Sequence, residues 1–131
     1  MDTSYFGNIK NVETPVSICG KAPTWYDGPQ FKALAPKYDF FRAYKNGEID
    51  EVGYTEQFER RVLMSLDPVW VYRYLLNVHG ERVSLMCYEK PGEFCHRRIV
   101  AKWLEIGNGI VIPERQYNEA DQSSTRLIGE A

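Results

Sequence analysis

Arg82-Val83-Ser84-Leu85-Met86-Cys87-Tyr88, then Glu89-Lys90-Pro91-Gly92, then Glu93 to Ile106, is the stretch whose reading decides the fold. Its first seven residues are apolar enough for a strand in the middle of a sheet. Pro91-Gly92 forces a turn. Beyond it Cys95, Ile99, Trp103 and Ile106 recur along one side of a helix over 93–106, which Gly107 stops.

Upstream, Thr3 to Phe6 and Pro15 to Cys19 are short β-prone segments, each followed at once by a glycine, Gly7 and Gly20. The run from Gly20 to Pro29 is dense in turn formers and reads as a loop carrying Trp25 and Tyr26. Phe31, Leu34, Tyr38, Phe41 and Tyr44 fall at helical spacing, but Pro36 breaks the stretch into two short helical pieces. Thr55 is an expected helix cap ahead of Phe58, Val62 and Leu66. Asp67-Pro68 starts another helix, with Val71, Leu75 and Val78 buried and Gly80 at its end. Ile110 to Ile112 is expected as a last short strand. Strands interleaved with helices, without a hairpin signal, predict a single α/β domain over 1–113, with a mainly parallel, Rossmann-like sheet flanked by helices. Residues 114–131 form a polar C-terminal extension, expected to be flexible, with Leu127 and Ile128 near its end.

At 131 residues, 44% hydrophobic, the chain has room for one core and no second full domain. Sixteen Lys and Arg against eighteen Asp and Glu leave a formal charge of -2, which excludes a general cationic field for nucleic acid or an anionic membrane. The apolar runs are far short of the ~20 residues that span a bilayer, and the N-terminus lacks the pattern of a secretory leader, so a cytoplasmic protein is expected. Three cysteines, Cys19, Cys87 and Cys95, suit reduced thiols better than a disulfide scaffold. Zinc is not expected: there is no Cys-x-x-Cys, His79 and His96 are far apart, and adjacent Cys95 and His96 point in different directions on a helix. No Walker loop, Gly-x-Gly-x-x-Gly, His-Glu-x-x-His or Gly-x-Ser-x-Gly occurs.

In parallel sheets ligands bind outside the carboxyl ends of the strands, which directs attention to Phe6–Asn8, Cys19–Lys21 and Cys87–Lys90. The segment Cys87-Tyr88-Glu89-Lys90-Pro91-Gly92-Glu93-Phe94-Cys95-His96-Arg97 carries a resemblance, with looser support from Thr3-Ser4-Tyr5-Phe6-Gly7-Asn8 and from Val16-Ser17-Ile18-Cys19-Gly20-Lys21-Ala22-Pro23. Over residues 3–106 the chain resembles the domain-of-unknown-function 488 family in a small single-domain form. The resemblance implies an α/β fold and a site around Glu89, Cys95, His96 and Arg97; it implies no particular reaction.

The first turn of a helix offers unpaired N–H groups and the positive end of a dipole, and His96, Arg97 and Arg98 add donors there. From Glu89 to Arg98 three cations face two anions, a weak preference for an anionic ligand. His96 is the expected acid or base because histidine is the residue type whose unperturbed pKa lies near neutrality, and Glu89 is its expected companion. Cys95 is a candidate nucleophile beside a histidine. Against it, Glu93 stands where the Cys-x5-Arg phosphatase pattern, counted from Cys87, needs arginine, and the shared face with Ile99 and Trp103 favours a small buried hydrophobe. Trp25 and Tyr26 are expected to stack a ring, whereas Phe31, Tyr38, Phe40 and Phe41 are expected in the core.

The catalytic candidates are therefore Glu89, His96 and Cys95, and the expected ligand contacts are Ser4, Phe6, Gly7, Lys21, Trp25, Lys90 and Arg97, with no metal and no cofactor. The expected ligand is a small anionic molecule of nucleotide type, bound and processed or only bound. A phage or mobile-element protein that captures or degrades a nucleotide immune signal is one role that suits this size and chemistry. A nucleic-acid-associated protein, or an interaction module or homo-oligomer using exposed aromatics, is the alternative.

Overall fold

Val83–Cys87 forms β3, and all five of its residues are buried. It is central because strands pair on both of its sides: β1 (Asp2–Tyr5) and β2 (Thr14–Ser17) each run parallel to it, in the order β1-β3-β2. The register sets Thr3 and Val16 beside Leu85, and Tyr5 beside Cys87. This α/β arrangement of a three-stranded parallel sheet flanked by helices is described by the computed structural model for residues 1–115. The expected flexibility of the extension that carries Leu127 and Ile128 falls, beyond residue 115, outside the described residues.

Between β2 and β3 the chain makes a 3-10 turn, Lys32–Leu34, then α1 (Tyr38–Lys45), α2 (Glu51–Phe58) running into a π turn at Glu59–Leu63, and α3 (Pro68–His79). After β3 comes α4 (His96–Asn108). Pro36 does separate two helical pieces, as its missing N–H and fixed φ require. The cap expected at Thr55 is corrected: Asp50 starts the helix a full turn earlier, accepting from the Gly53 N–H at 2.8 Å, while Thr55 sits inside and donates to the Glu51 carbonyl. Asp67 caps α3 through the Val69 N–H, and Gly80, at φ 91°, ends it.

Three expectations for the end of the domain are corrected. The last helix begins at His96 rather than Glu93, because Cys95 is extended (φ -155°, ψ 142°) and serves as its N-terminal boundary. Its buried side is His96, Arg97, Val100, Ala101 and Leu104, whereas Ile106 is exposed. No strand forms at Ile110–Ile112 among the described residues; this end of the chain touches the sheet instead through a bridge between Thr3 and Glu114. Among the described residues no helix is long and apolar enough to cross a membrane.

The main core joins Val16, Val83 and Leu85 of the sheet to Phe58, Leu75, Val100 and Leu104 of the helices. A smaller cluster, Phe6, Cys19, Tyr26, Met86, Cys87 and Cys95, packs toward the carboxyl end of the strands. Gly107 does not stop α4. It lets α4 cross α3 closely: a Cβ there would lie 2.5 Å from Pro68 Cγ and 2.6 Å from Pro68 Cβ. Gly107→Ala is therefore expected to lose about 1–2 kcal/mol, the overpacking cost less the helix propensity gained. Urea unfolding checks this, and an unchanged or higher midpoint would contradict the close crossing.

Candidate functional site

The carboxyl ends of β2 and β3 open into a cavity of about 680 Å³. Its floor carries thiol, imidazole and carboxylate groups and its walls are aromatic. Cys87 ends β3, Tyr88 and Glu89 follow it, Cys19-Gly20-Lys21 follow β2, and Cys95 and His96 come from the start of α4. Tyr38, Phe41 and Tyr44 of α1, Tyr54 of α2, Phe94 and Tyr88 supply the rings. Tyr88 also ties the two strand ends together, its hydroxyl donating to the Lys21 carbonyl at 2.6 Å.

His96 is 5% exposed and its ring is fixed on both sides. Nε2 lies 2.8 Å from the carbonyl oxygen of Ile18, which can only accept, so Nε2 carries a hydrogen, and in the neutral tautomer it is the one the ring has. Nδ1 is left with its lone pair facing the thiols of Cys87 at 3.5 Å and Cys95 at 4.0 Å. The Phe58 ring, 5.5 Å away between centroids, packs against the imidazole.

The surroundings of Cys95 do not activate it. Burial pushes its thiol well above the usual cysteine range, the Cys87 thiol adds to this, and contact with His96 opposes it only in part. Cys87 is likewise held well above that range, chiefly by the neighbouring Cys19 and also by burial. Both are protonated thiols at neutral pH, which is the state of an inert buried cysteine rather than a prepared nucleophile.

Glu89 differs. Burial acts to raise its pKa, but the Cys95 thiol and the positive charge of Lys45 outweigh this and hold the carboxyl below its ordinary value. Lys45 Nζ stands 3.3 Å from Glu89 Oε2, and Cys87 Sγ donates to Oε1 at 3.5 Å. The cavity thus holds an ionised carboxylate, a lysine paired to it, and a second lysine, Lys21, at the β2 end.

Of the expected site residues, Glu89, His96, Cys95 and Lys21 meet at this cavity, and the other six do not line it. Arg97 is withdrawn completely: it is 1% exposed and its guanidinium donates twice to Glu114, from Nε at 3.1 Å and from Nη2 at 2.6 Å. Arg98 donates to Thr3 Oγ1 and to the Ile112 carbonyl, so neither arginine serves an anion in the cavity. Ser4 is buried and accepts from Asn8. Gly7 and Lys90 are exposed outside the cavity.

Trp25 is exposed and packs edge-on against Phe6, while Tyr26 is buried, its hydroxyl donating to the Pro29 carbonyl. Neither residue lines the cavity, whose aromatic wall includes Tyr38, Phe41 and Tyr44 of α1 instead. Their spacing was visible, but helical spacing alone does not distinguish a core stripe from a cavity wall. Phe40, next to them, is the one that enters the core. Cys87, the last residue of β3, lies at the carboxyl end of the central strand and lines the cavity.

No curated protein matches the chain, and no solved structure does. A family model does: the model described as the Active DUF488-N3 subclade matches residues 9–107. That segment contains β2, β3 and every residue named above as lining the cavity, and leaves out β1. The strand-turn-helix around Cys87, Glu89, Cys95 and His96, on a parallel sheet, is thus part of a shared domain, and the chain belongs to the DUF488 family.

Proposed function

We propose that the cavity binds a nucleotide-type or other phosphorylated, ring-bearing small molecule, and that Glu89 moves a proton during its processing. The observation that carries this reading is the convergence of aromatic rings, two lysines and an ionised carboxylate on one open cavity at the carboxyl edge of a parallel sheet. Tyr38, Phe41 and Tyr44 offer faces and edges for a planar ring. Lys21 and Lys45 are the cations that line the cavity, and an anionic group is attracted to them as point charges. Lys45 is shared with Glu89, so a bound phosphate that draws Lys45 away frees the carboxylate to take a proton. The description of the matched family model as an active subclade supports a reaction over sequestration alone.

The wall residues test this directly. Tyr38 is 73% exposed, so Tyr38→Ala leaves stability within about 0.5 kcal/mol. If Tyr38 stacks the ring, the same change weakens binding by about 1–3 kcal/mol, roughly fivefold to a hundredfold. Titration of nucleoside monophosphates and cyclic nucleotides into both proteins measures this. Equal affinities would remove the ring from the α1 wall.

A further inference from the structure

Cys87 Sγ, Cys95 Sγ and His96 Nδ1 all lie within 4.8 Å of one another. The two sulfur-to-nitrogen distances are 3.5 and 4.0 Å. Zinc bonds of ~2.3 Å to sulfur and ~2.0 Å to nitrogen at tetrahedral angles would place sulfur and nitrogen ~3.5 Å apart. Small side-chain adjustments therefore bring these three atoms around one ion.

The imidazole is already in the tautomer that coordination needs. Its Nε2–H is spent on the Ile18 carbonyl, and a ligating histidine characteristically donates its other N–H to such a group. Cys95 and His96 do not diverge as neighbours on a helix would, because Cys95 is extended and lies outside α4.

We propose that Cys87, Cys95 and His96 form a three-ligand site for a thiophilic divalent cation of the zinc class, with its fourth position toward the aromatic cavity. Cys95 and His96 enter from the start of α4 and Cys87 from the end of β3, and all three line the cavity. Two thiolates and a neutral imidazole suit zinc-class ions, and three protein ligands with one open position is the arrangement of catalytic rather than structural zinc. On binding, the two thiol protons pass to solvent, and the ion with two thiolates has no net charge. That neutrality reduces the penalty of placing a divalent ion in a buried pocket. Glu89 lines the same cavity, its Oε1 3.5 Å from Cys87 Sγ.

The experiment is a cobalt(II) titration of the reduced full chain, followed by zinc competition. The expected result is saturation near one equivalent, with intense tetrahedral visible bands and a thiolate-to-cobalt charge-transfer band that zinc abolishes. Cys19→Ser, outside the ligand set, keeps the spectrum, whereas Cys87→Ser and Cys95→Ser each lose much of the charge-transfer band. Absence of that band in the unmodified protein would overturn the proposal without reference to any variant. So would its survival in a folded protein carrying both Cys87→Ser and Cys95→Ser. The proposal does not depend on the nucleotide-type ligand: a chain that binds cobalt in this way but no nucleotide keeps the metal site and loses the ligand reading.

Discussion

Glu114→Ala is expected to cost about 3–5 kcal/mol of folding stability, the range for removing one partner of a buried ion pair. Arg97 is almost wholly inaccessible, and the Glu114 side chain is 13% exposed. Loss of the carboxylate leaves a guanidinium with no opposite charge and little water. Arg97 cannot escape by deprotonating, since a guanidinium keeps its charge in proteins; in the intact protein burial acts to lower its pKa and contact with Glu114 outweighs this, a compensation that Glu114→Ala removes. Urea unfolding monitored by tryptophan fluorescence reads the loss as a lower midpoint.

The pair also does local work. Thr3 Oγ1 donates to Glu114 and accepts from Arg98 at 2.8 Å, so β1, α4 and the chain after Pro113 are fastened at one point. Arg97→Met combined with Glu114→Leu is expected to recover most of the stability, because apolar groups of similar volume carry no desolvation cost. Binding in the cavity, measured on folded protein, is expected to be unchanged by that double replacement. A large loss of ligand affinity would instead return Arg97 to the site.

Glu89→Gln is expected to lower turnover of a processed ligand by about 10²–10⁴-fold, the usual contribution of a positioned proton-transfer group. The amide keeps the shape of the side chain but cannot accept the proton. It also releases Lys45 from its ion pair, so binding of an anionic ligand is expected to be retained or to improve slightly. A turnover assay alongside a titration separates the two effects. Full turnover in Glu89→Gln would remove the proton-transfer role and leave the carboxylate as a partner for Lys45 alone.

The fold was legible where local chemistry and tertiary packing agree. Val83 to Cys87 reads as a central strand because every side chain is apolar or small, and the parallel sheet buries all of them. Asp67-Pro68 and Gly80 mark the ends of α3 through capping and positive φ, both of which act within a few residues. The start of α4 was less legible. Glu93 and Phe94 continue a helical pattern, yet Phe94 turns to the cavity against Tyr44 and Tyr54, and the helix starts only after Cys95.

The same local shift explains the site. Glu89, Cys95 and His96 were visible as a cluster because they flank one turn, and Lys21 because it follows a strand end. The meeting of Cys87 with His96 was not, since it depends on how far α4 is displaced from β3. Arg97 was misread because a cation at the start of a helix suggests an anion in solvent, and its true partner, Glu114, lies seventeen residues further along the chain. The aromatic wall on α1 depends on which side of an eight-residue helix meets the core, a question that only the packing of α1 against α2 decides.

The most direct measurement is mass spectrometry of what the full chain holds and what it converts. Small molecules released by denaturing the purified protein are identified, and a panel of nucleotides and cyclic nucleotides is then incubated with fresh protein and followed for both remaining ligand and products. The account predicts that a phosphorylated, ring-bearing compound is retained or converted, and that Tyr38→Ala diminishes the effect. A protein that releases nothing, depletes no member of the panel and forms no product would contradict it.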